Sequence, residues 1–523
     1  MMISDGYGPA SHTFARTFYQ TLHRNSSDNP DGVPPFNWGF PLDKALVGSH
    51  RSRSSDSLIT DSAAGATAFS CGLKSYNGAI GVDSAGTPCG TVFEAAKEKG
   101  YLTGVVVTSR LTDATPAAFF AHASSRALES AIAAQMLEKP YEGGERTIDL
   151  AIGGGGCWFY PSSHPESCRT DNRDLISEAR QQGWDVREPP SSDKGAAEVK
   201  GPHGEQKIAT SATSFNTSYD LQGQSGELPF LSLLTSSNTP YVIDVPSDSK
   251  GRAAFPTLSQ LAEQAITLLA DNARSKASAS KKSQRKGFML MIEGSQIDLC
   301  QHQNDPACMG REAIAYQEAA GRVMQLVDEL NAKGEKTILI STSDHETGGL
   351  TLGRQIGNDY PEYLWYPERL TGVQHSGDVL SAKLLEYYRT GPGARSLRQF
   401  VVGHILGPEG GLGFGAGTSG GEITEGEISR VLECLPSSRS MVVPPIDNDD
   451  ECRKAIVDVA SRRANIGWTT SGHTGVDIPV FTHGGAALGE GLHGIIENTD
   501  IGKYISKLLD LDLKSISRKL NVK

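Results

Sequence analysis

Apolar residues fall into two alternating patterns along the chain: short unbroken runs and stripes at helical spacing. Pro9 suits a first helical turn, and Phe14, Phe18 and Leu22 recur at i, i+4 and i+8 on one face of the helix it opens. A Pro/Gly/Ser/Asp-rich loop is expected over 25–60. A helix over 91–99 then leads into 101–109, where Val105, Val106 and Val107 read as a buried strand, and another helical stretch starts at Pro116. Residues 149–153 give a further strand, whereas 185–255 is polar and irregular. Thr257 to Gln260 is a capping box, and Leu258, Leu261, Ala262, Ala265, Leu268 and Leu269 form the stripe it opens. Strands follow at 288–292, 336–341 and 478–481, with helices over 311–333, stopped by Gly334, and over 501–513. The alternation predicts an α/β fold with a mostly parallel central β-sheet flanked by helices on both faces.

Two regions break the rhythm. The glycine-rich sequence 403–421 is expected to pack little core, marking an inserted loop or small subdomain within 355–470 of one large domain spanning 1–523. Met1 to Ile3 reads as too short for a buried strand, so Asp5 would close a strand begun upstream; a truncated start, with a signal or membrane anchor missing from this chain, is the expectation.

Charge narrows the function classes. With 49 basic against 61 acidic side chains the chain carries a net charge of -12, which argues against a general nucleic-acid or anionic-membrane binder. The basic run 275–286 reads as an exposed loop. A negative protein acting on an anionic substrate needs concentrated local cations, and metals would supply them. Eight cysteines fall as near neighbours, Cys71 with Cys89, Cys157 with Cys168, Cys300 with Cys308 and Cys434 with Cys452; proximity favours this scheme among about 105 pairings. With sequons at Asn25 and Asn216, the cysteines point to an oxidising, secretory or vacuolar route.

Candidate chemistry gathers behind the strands. Asp5, Asp113 with Thr115, Glu293 with Asp298 and His302, and Asp344 with His345 each follow a predicted strand. Residues past the carboxyl ends of strands in an open α/β sheet converge on one crevice. Asp298 and His302 stand at i, i+4, on one helical face. Mixed nitrogen and carboxylate groups favour zinc, and oxygen-only groups favour magnesium. Asp61-Ser62 precedes Ala63-Ala64-Gly65-Ala66-Thr67-Ala68; alone it reads as a helix N-cap, but beside a base or metal Ser62 becomes a nucleophile. His122, His483 and His493 read as packing or supporting residues rather than ligands.

Taken together, Ser4-Asp5-Gly6, Asp61 through Ala68, Asp113-Ala114-Thr115-Pro116, Glu293-Gly294-Ser295, Asp298 through His302, Ser343-Asp344-His345-Glu346 and Gly472-His473-Thr474-Gly475 resemble the alkaline phosphatase family. The blocks run in family order over nearly the whole chain, and two of them are most similar to fungal, vacuolar-type members. The resemblance implies a phosphate monoester hydrolase with a phosphoserine intermediate at Ser62, two Zn2+ and one Mg2+, and a crown-like insertion. It implies one zinc on Asp298, His302 and His473 and a second on Asp344, His345 and Asp5, touching Ser62. Asp5 would bridge to magnesium completed by Thr115 and Glu293, with Asp113 in its surroundings. Arg126 matches the phosphate-clamping arginine and Asp61 its orienting neighbour. Inorganic phosphate as product and inhibitor, and a homodimer, are implied as well. Leu299 stands where bacterial members often carry lysine.

Rival readings differ in their residues. Sulfatases follow a Cys or Ser nucleophile with Pro and Arg, which Cys71-Gly72-Leu73-Lys74 lacks; nucleotide phosphodiesterases usually present Thr in place of Ser62. Ser62 sits in no Gly-x-Ser-x-Gly elbow. A phosphodiesterase of the same superfamily or a non-catalytic metal or phosphate binder stand as alternatives, and a decayed scaffold would have lost Ser62, Arg126 or a ligand.

Overall fold

The computed structural model describes all residues except 24–38, 190–197, 202–203, 208–226, 247–254, 276–285, 362, 437–446, 486–490 and 523. The sequons at Asn25 and Asn216 and most of the basic run 275–286 lie outside the described residues.

Among the described residues ten strands make the central sheet: β1 (Met2–Ser4), β2 (Leu46–Arg51), β3 (Leu102–Arg110), β4 (Leu150–Gly154), β5 (Asp185–Arg187), β6 (Phe230–Leu233), β7 (Phe288–Gly294), β8 (Leu339–Thr342), β9 (Ile478–His483) and β10 (Gly494–Glu497). Their spatial order is β10-β2-β9-β8-β1-β7-β3-β4-β6-β5. All neighbours run parallel except β9, which is antiparallel to both β8 and β2. The predicted α/β class is therefore correct. Strands β2, β5 and β6 arise within segments expected to be irregular, β10 in one given no element, and β1 corrects the reading of 1–3. Three residues suffice for a fully buried strand because β7 and β8 flank it, pairing Met2 with both Ile292 and Ser341.

Buried on both sides, these strands read as near-continuous apolar runs. Met2, Val106, Leu290 and Ile292 face one core with helices α1 (Pro9–Leu22), α3 (Leu258–Ser275) and α5 (Pro306–Ala332); Ile3, Val105, Val107 and Met291 face the other with α2 (Ser62–Cys71). The short helix α4 (Gln296–His302) links β7 to α5. Helix α5 starts earlier than the sequence predicts, because Asp305 caps it by accepting from the amides of Ala307 and Cys308.

Within 355–470 the chain adds helices Gly377–Arg389, Ala394–Phe400, Glu425–Glu433 and Asp447–Arg463. The glycine-rich stretch does contribute core, against expectation: Leu406, Leu412 and Phe414 are buried with α1 and α5 in one cluster. Glycine is what permits it. A Cβ on Gly413, held at φ +76, would lie 2.3 Å from the Gly372 carbonyl oxygen. Four disulfides join Cys71–Cys89, Cys157–Cys168, Cys300–Cys308 and Cys434–Cys452, the pairs that proximity predicts. No helix among the described residues is long and apolar enough to cross a membrane.

Candidate active site

Parallel pairing of β8, β1, β7 and β3 puts their carboxyl ends along one edge of the sheet, and with them Asp344, Asp5, Glu293 and Asp113. The reversed direction of β9 matters here. Its amino end joins the same edge, which brings His473, just upstream, over the crevice. Strand β2 runs parallel to β10 and antiparallel to β9, so the chain also leaves it at this edge toward Ser62.

Asp61 caps α2, accepting from the Ala64 amide at 3.0 Å with one oxygen and from the Gly78 amide at 2.9 Å with the other. Ser62, the first helical residue, is 3% exposed and places its Oγ 3.1 Å from His345 Nε2. Gly65 lets α2 lie against the next block: a Cβ there would stand 3.0 Å from Asp344 Cβ.

Imidazoles and carboxylates converge around that hydroxyl. His302 Nε2 lies 3.1 Å from Asp298 Oδ2 and 3.2 Å from His473 Nε2. His345 Nε2 lies 3.2 Å from Asp344 Oδ2 and 3.5 Å from Asp5 Oδ1. The opposite ring nitrogens of His302 and His473 meet the backbone carbonyls of Ser471 and Thr60 at 2.6 and 2.8 Å. Such a bond fixes Nδ1 as the donor and turns Nε2 toward the carboxylates, the usual preparation of a metal-ligating histidine. Asp298, His345 and His473 form one group able to hold a cation, and Asp5, Asp344 and His345 another, so His345 belongs to both.

The carboxylates are short of partners. Asp5 Oδ1, Glu293 Oε2 and Asp344 Oδ2 are buried and accept no hydrogen bond. Burial, then the charges of Asp344, Asp298 and Glu293, push Asp5 well above the carboxylate range; burial, Asp113 and Asp344 do the same to Glu293. Burial alone would raise Asp298 too, but His302, His473 and His345 hold it below that range, while Asp298 in turn lifts His302 to about 9 despite its burial. Burial and His345 lower His473 to about 4. Orphaned, closely spaced carboxylate oxygens beside inward-facing imidazole nitrogens fit divalent cations: oxygen-rich around Asp5, Glu293 and Thr115, whose Oγ1 is 3.4 Å from Asp5 Oδ2, and mixed around the histidines.

A guanidinium stands beside this group. Arg126 bonds Asp61 at 3.3 Å and Asp113 at 3.0 Å, and its side chain is 38% exposed. The structure thus brings every sequence-predicted site residue into one crevice. It adds some that the motifs do not reveal: Thr347 donates to Asp298 at 2.5 Å, Gln301 ties α4 to the Gly6 carbonyl, and Arg110 pairs with Asp113 at 3.1 Å. Thr347 and Gln301 are discoverable as neighbours of His345 and His302; Arg110 carries no such signal. His122, His483 and His493 bond Glu94, Asp328 and the Val47 carbonyl, as supporting residues.

A family model described as alkaline phosphatase matches residues 1–191 and 212–511. The repressible alkaline phosphatase of Saccharomyces cerevisiae is 38% identical, over 98% of this chain and 81% of that protein. The crystal structure of a cold-active alkaline phosphatase from a psychrophilic Shewanella species superposes with a TM-score of 0.67 at 27% identity, covering 97% of this chain and 98% of that one. A variant of the alkaline phosphatase of the Antarctic bacterium TAB5, solved with Mg bound in its M3 site, has a TM-score of 0.54 at 25% identity, covering 98% of this chain and 97% of that one. With its serine-headed helix, its crowded carboxylates and its near full-length likeness to these enzymes, the chain belongs to the alkaline phosphatase family and is a phosphate monoester hydrolase.

Proposed function

We propose that hydrolysis runs through a phosphoserine at Ser62, with two Zn2+ and one Mg2+ as cofactors. The observation that carries this reading is Ser62 Oγ on the first turn of α2, 3.1 Å from His345 and inside the cluster of orphaned carboxylates. Asp298, His302 and His473 would hold one zinc, Asp344, His345 and Asp5 the other, and Asp5, Thr115 and Glu293 the magnesium, with Asp113 beside it. Cations bound there supply Lewis acidity, lowering the pKa of hydroxyl and water ligands and offsetting charge on phosphoryl oxygens.

The chain's own residues supply position. Asp61 fixes the start of α2, so Ser62 points into the crevice while the first-turn amides and helix dipole favour an anion there. Arg126 binds two phosphate oxygens with its planar fork, which a lysine cannot match. Ser62 Oγ releases its proton to solvent and attacks phosphorus in line; the ester P–O bond breaks, and the departing alkoxide takes a proton from water to leave as the alcohol. Water then attacks the phosphoserine, releasing inorganic phosphate and restoring Ser62. Phosphate bound by the same clamp acts as an inhibitor. We also infer a homodimer and, from four disulfides, passage through an oxidising compartment to a vacuole or the exterior.

Phosphate release from an aryl phosphate monoester between about pH 7 and 10, with zinc and magnesium present, tests the mechanism. Turnover should be lost in Ser62→Ala and on chelation, and parent enzyme stopped in acid should carry phosphate on Ser62. Undiminished turnover by Ser62→Ala would sink it.

A further inference from the structure

Arg110 ends strand β3, and all three of its guanidinium nitrogens have protein partners. Nη2 meets Asp113 Oδ2 at 3.1 Å, Nε donates to Glu129 at 2.9 Å and Nη1 to Asn238 Oδ1 at 3.0 Å. Its side chain is 17% exposed. Glu129 is itself held by Thr112 Oγ1 at 2.5 Å, and Asn238 Oδ1 also accepts from the Arg110 amide at 3.1 Å. A guanidinium so fully engaged is not poised to bind substrate. Its effect passes through Asp113, whose other oxygen accepts from Arg126 Nη2 at 3.0 Å and from the Ala114 amide at 2.8 Å. Glu129, Arg110, Asp113, Arg126 and Asp61 thus form an unbroken chain of alternating charge that runs through the phosphate clamp.

The sharing decides what Arg126 can do. With Arg110 in place, the charge of Asp113 is divided between two cations. Without it, Asp113 and Asp61 would both act on Arg126 alone, and an incoming phosphate would compete with two carboxylates for one guanidinium. We propose that Arg110 is a positioning residue that braces Asp113 and keeps Arg126 available to phosphate, an inference resting on the reading of Arg126 as the clamp.

The test is a double-mutant cycle on the metal-loaded enzyme with Arg110→Gln, Arg126→Ala and the pair, measuring KM for an aryl phosphate, the inhibition constant of inorganic phosphate, and metal content. Arg110→Gln should raise both constants by about tenfold, the scale of one weakened charge-assisted hydrogen bond, with metal content unchanged. In the Arg126→Ala background it should add little, because the two act as a unit. Arg110→Lys, which keeps the charge but not the fork, should recover part of the loss and carries the test if the glutamine variant folds poorly. An unchanged phosphate constant, an equal loss in both backgrounds, or loss of metal in Arg110→Gln would each overturn the proposal. If Arg126→Ala alone leaves phosphate binding intact, the clamp reading fails and the brace falls with it.

Discussion

Asp61 shows how a plain structural role and a chemical one can be the same role. As the N-cap of α2 it satisfies the Ala64 amide, and in doing so it sets the direction of Ser62 and faces Arg126. Elsewhere single residues carry costs unrelated to catalysis. Glu312 is buried and accepts from the Val242 amide at 2.6 Å, and burial pushes its carboxyl up to about 8. Between the ordinary value of 4.5 and that folded value, the native protein holds a proton that the unfolded chain has released. Stability from this group is therefore present at low pH and lost as pH rises through the window. Glu312→Gln keeps the acceptor and removes the titration, so its thermal midpoint should fall less than the parent's between about pH 5 and 8.5. The ligand-type residues were legible because aspartate and histidine at strand ends are chemically conspicuous. Arg110 was not, since a basic residue closing a strand looks solvated until Asp113, Glu129 and Asn238 are seen around it.

At the scale of elements, helix periodicity is legible in the sequence and short strands are not. The stripe of α3 has Leu258, Leu261, Ala262, Ala265 and Leu269 buried as predicted, while Leu268 is only half-buried and Ile266 joins the buried face. By contrast β2 lies half-buried in a polar region, and the apolar run of β6 is only four residues long within a polar stretch; pairing with neighbours completes what so short a pattern leaves open. Helix packing makes a sharper demand. Gly310 of α5 faces α1, where a Cβ would lie 2.5 Å from the Phe14 ring and 2.8 Å from that of Phe18. Gly310→Ala should destabilise by about 1–3 kcal/mol through overpacking, even though alanine is the better helix former. Denaturant melts should show the lower midpoint without a changed m-value.

For the molecule as a whole, the site is a place where folding gathers unfavourable charge. Asp5, Glu293, Asp344 and Asp298 are buried side by side, and only partly compensated by histidines. Cations binding the folded state alone should stabilise it by mass action, about 4 kcal/mol at a thousand times the dissociation constant. Chelation should therefore lower the thermal midpoint by roughly 5 °C or more, and zinc with magnesium should restore it. Calorimetry showing no shift would mean that the carboxylates are neutralised by protons instead.

The placement of β1 sets the order of events during synthesis. Its two partners, β7 and β8, begin at Phe288 and Leu339. A ribosome adding about 5–20 residues per second finishes Thr342 on the order of half a minute after Ser4. Until Gly294 is made β1 has neither neighbour, and until Thr342 it has only β7, so Asp5 cannot yet meet Asp344. Helices and the β3–β4 pair can form meanwhile, but the centre of the sheet closes late, and a cation that needs Asp5 and Asp344 together could bind only after that.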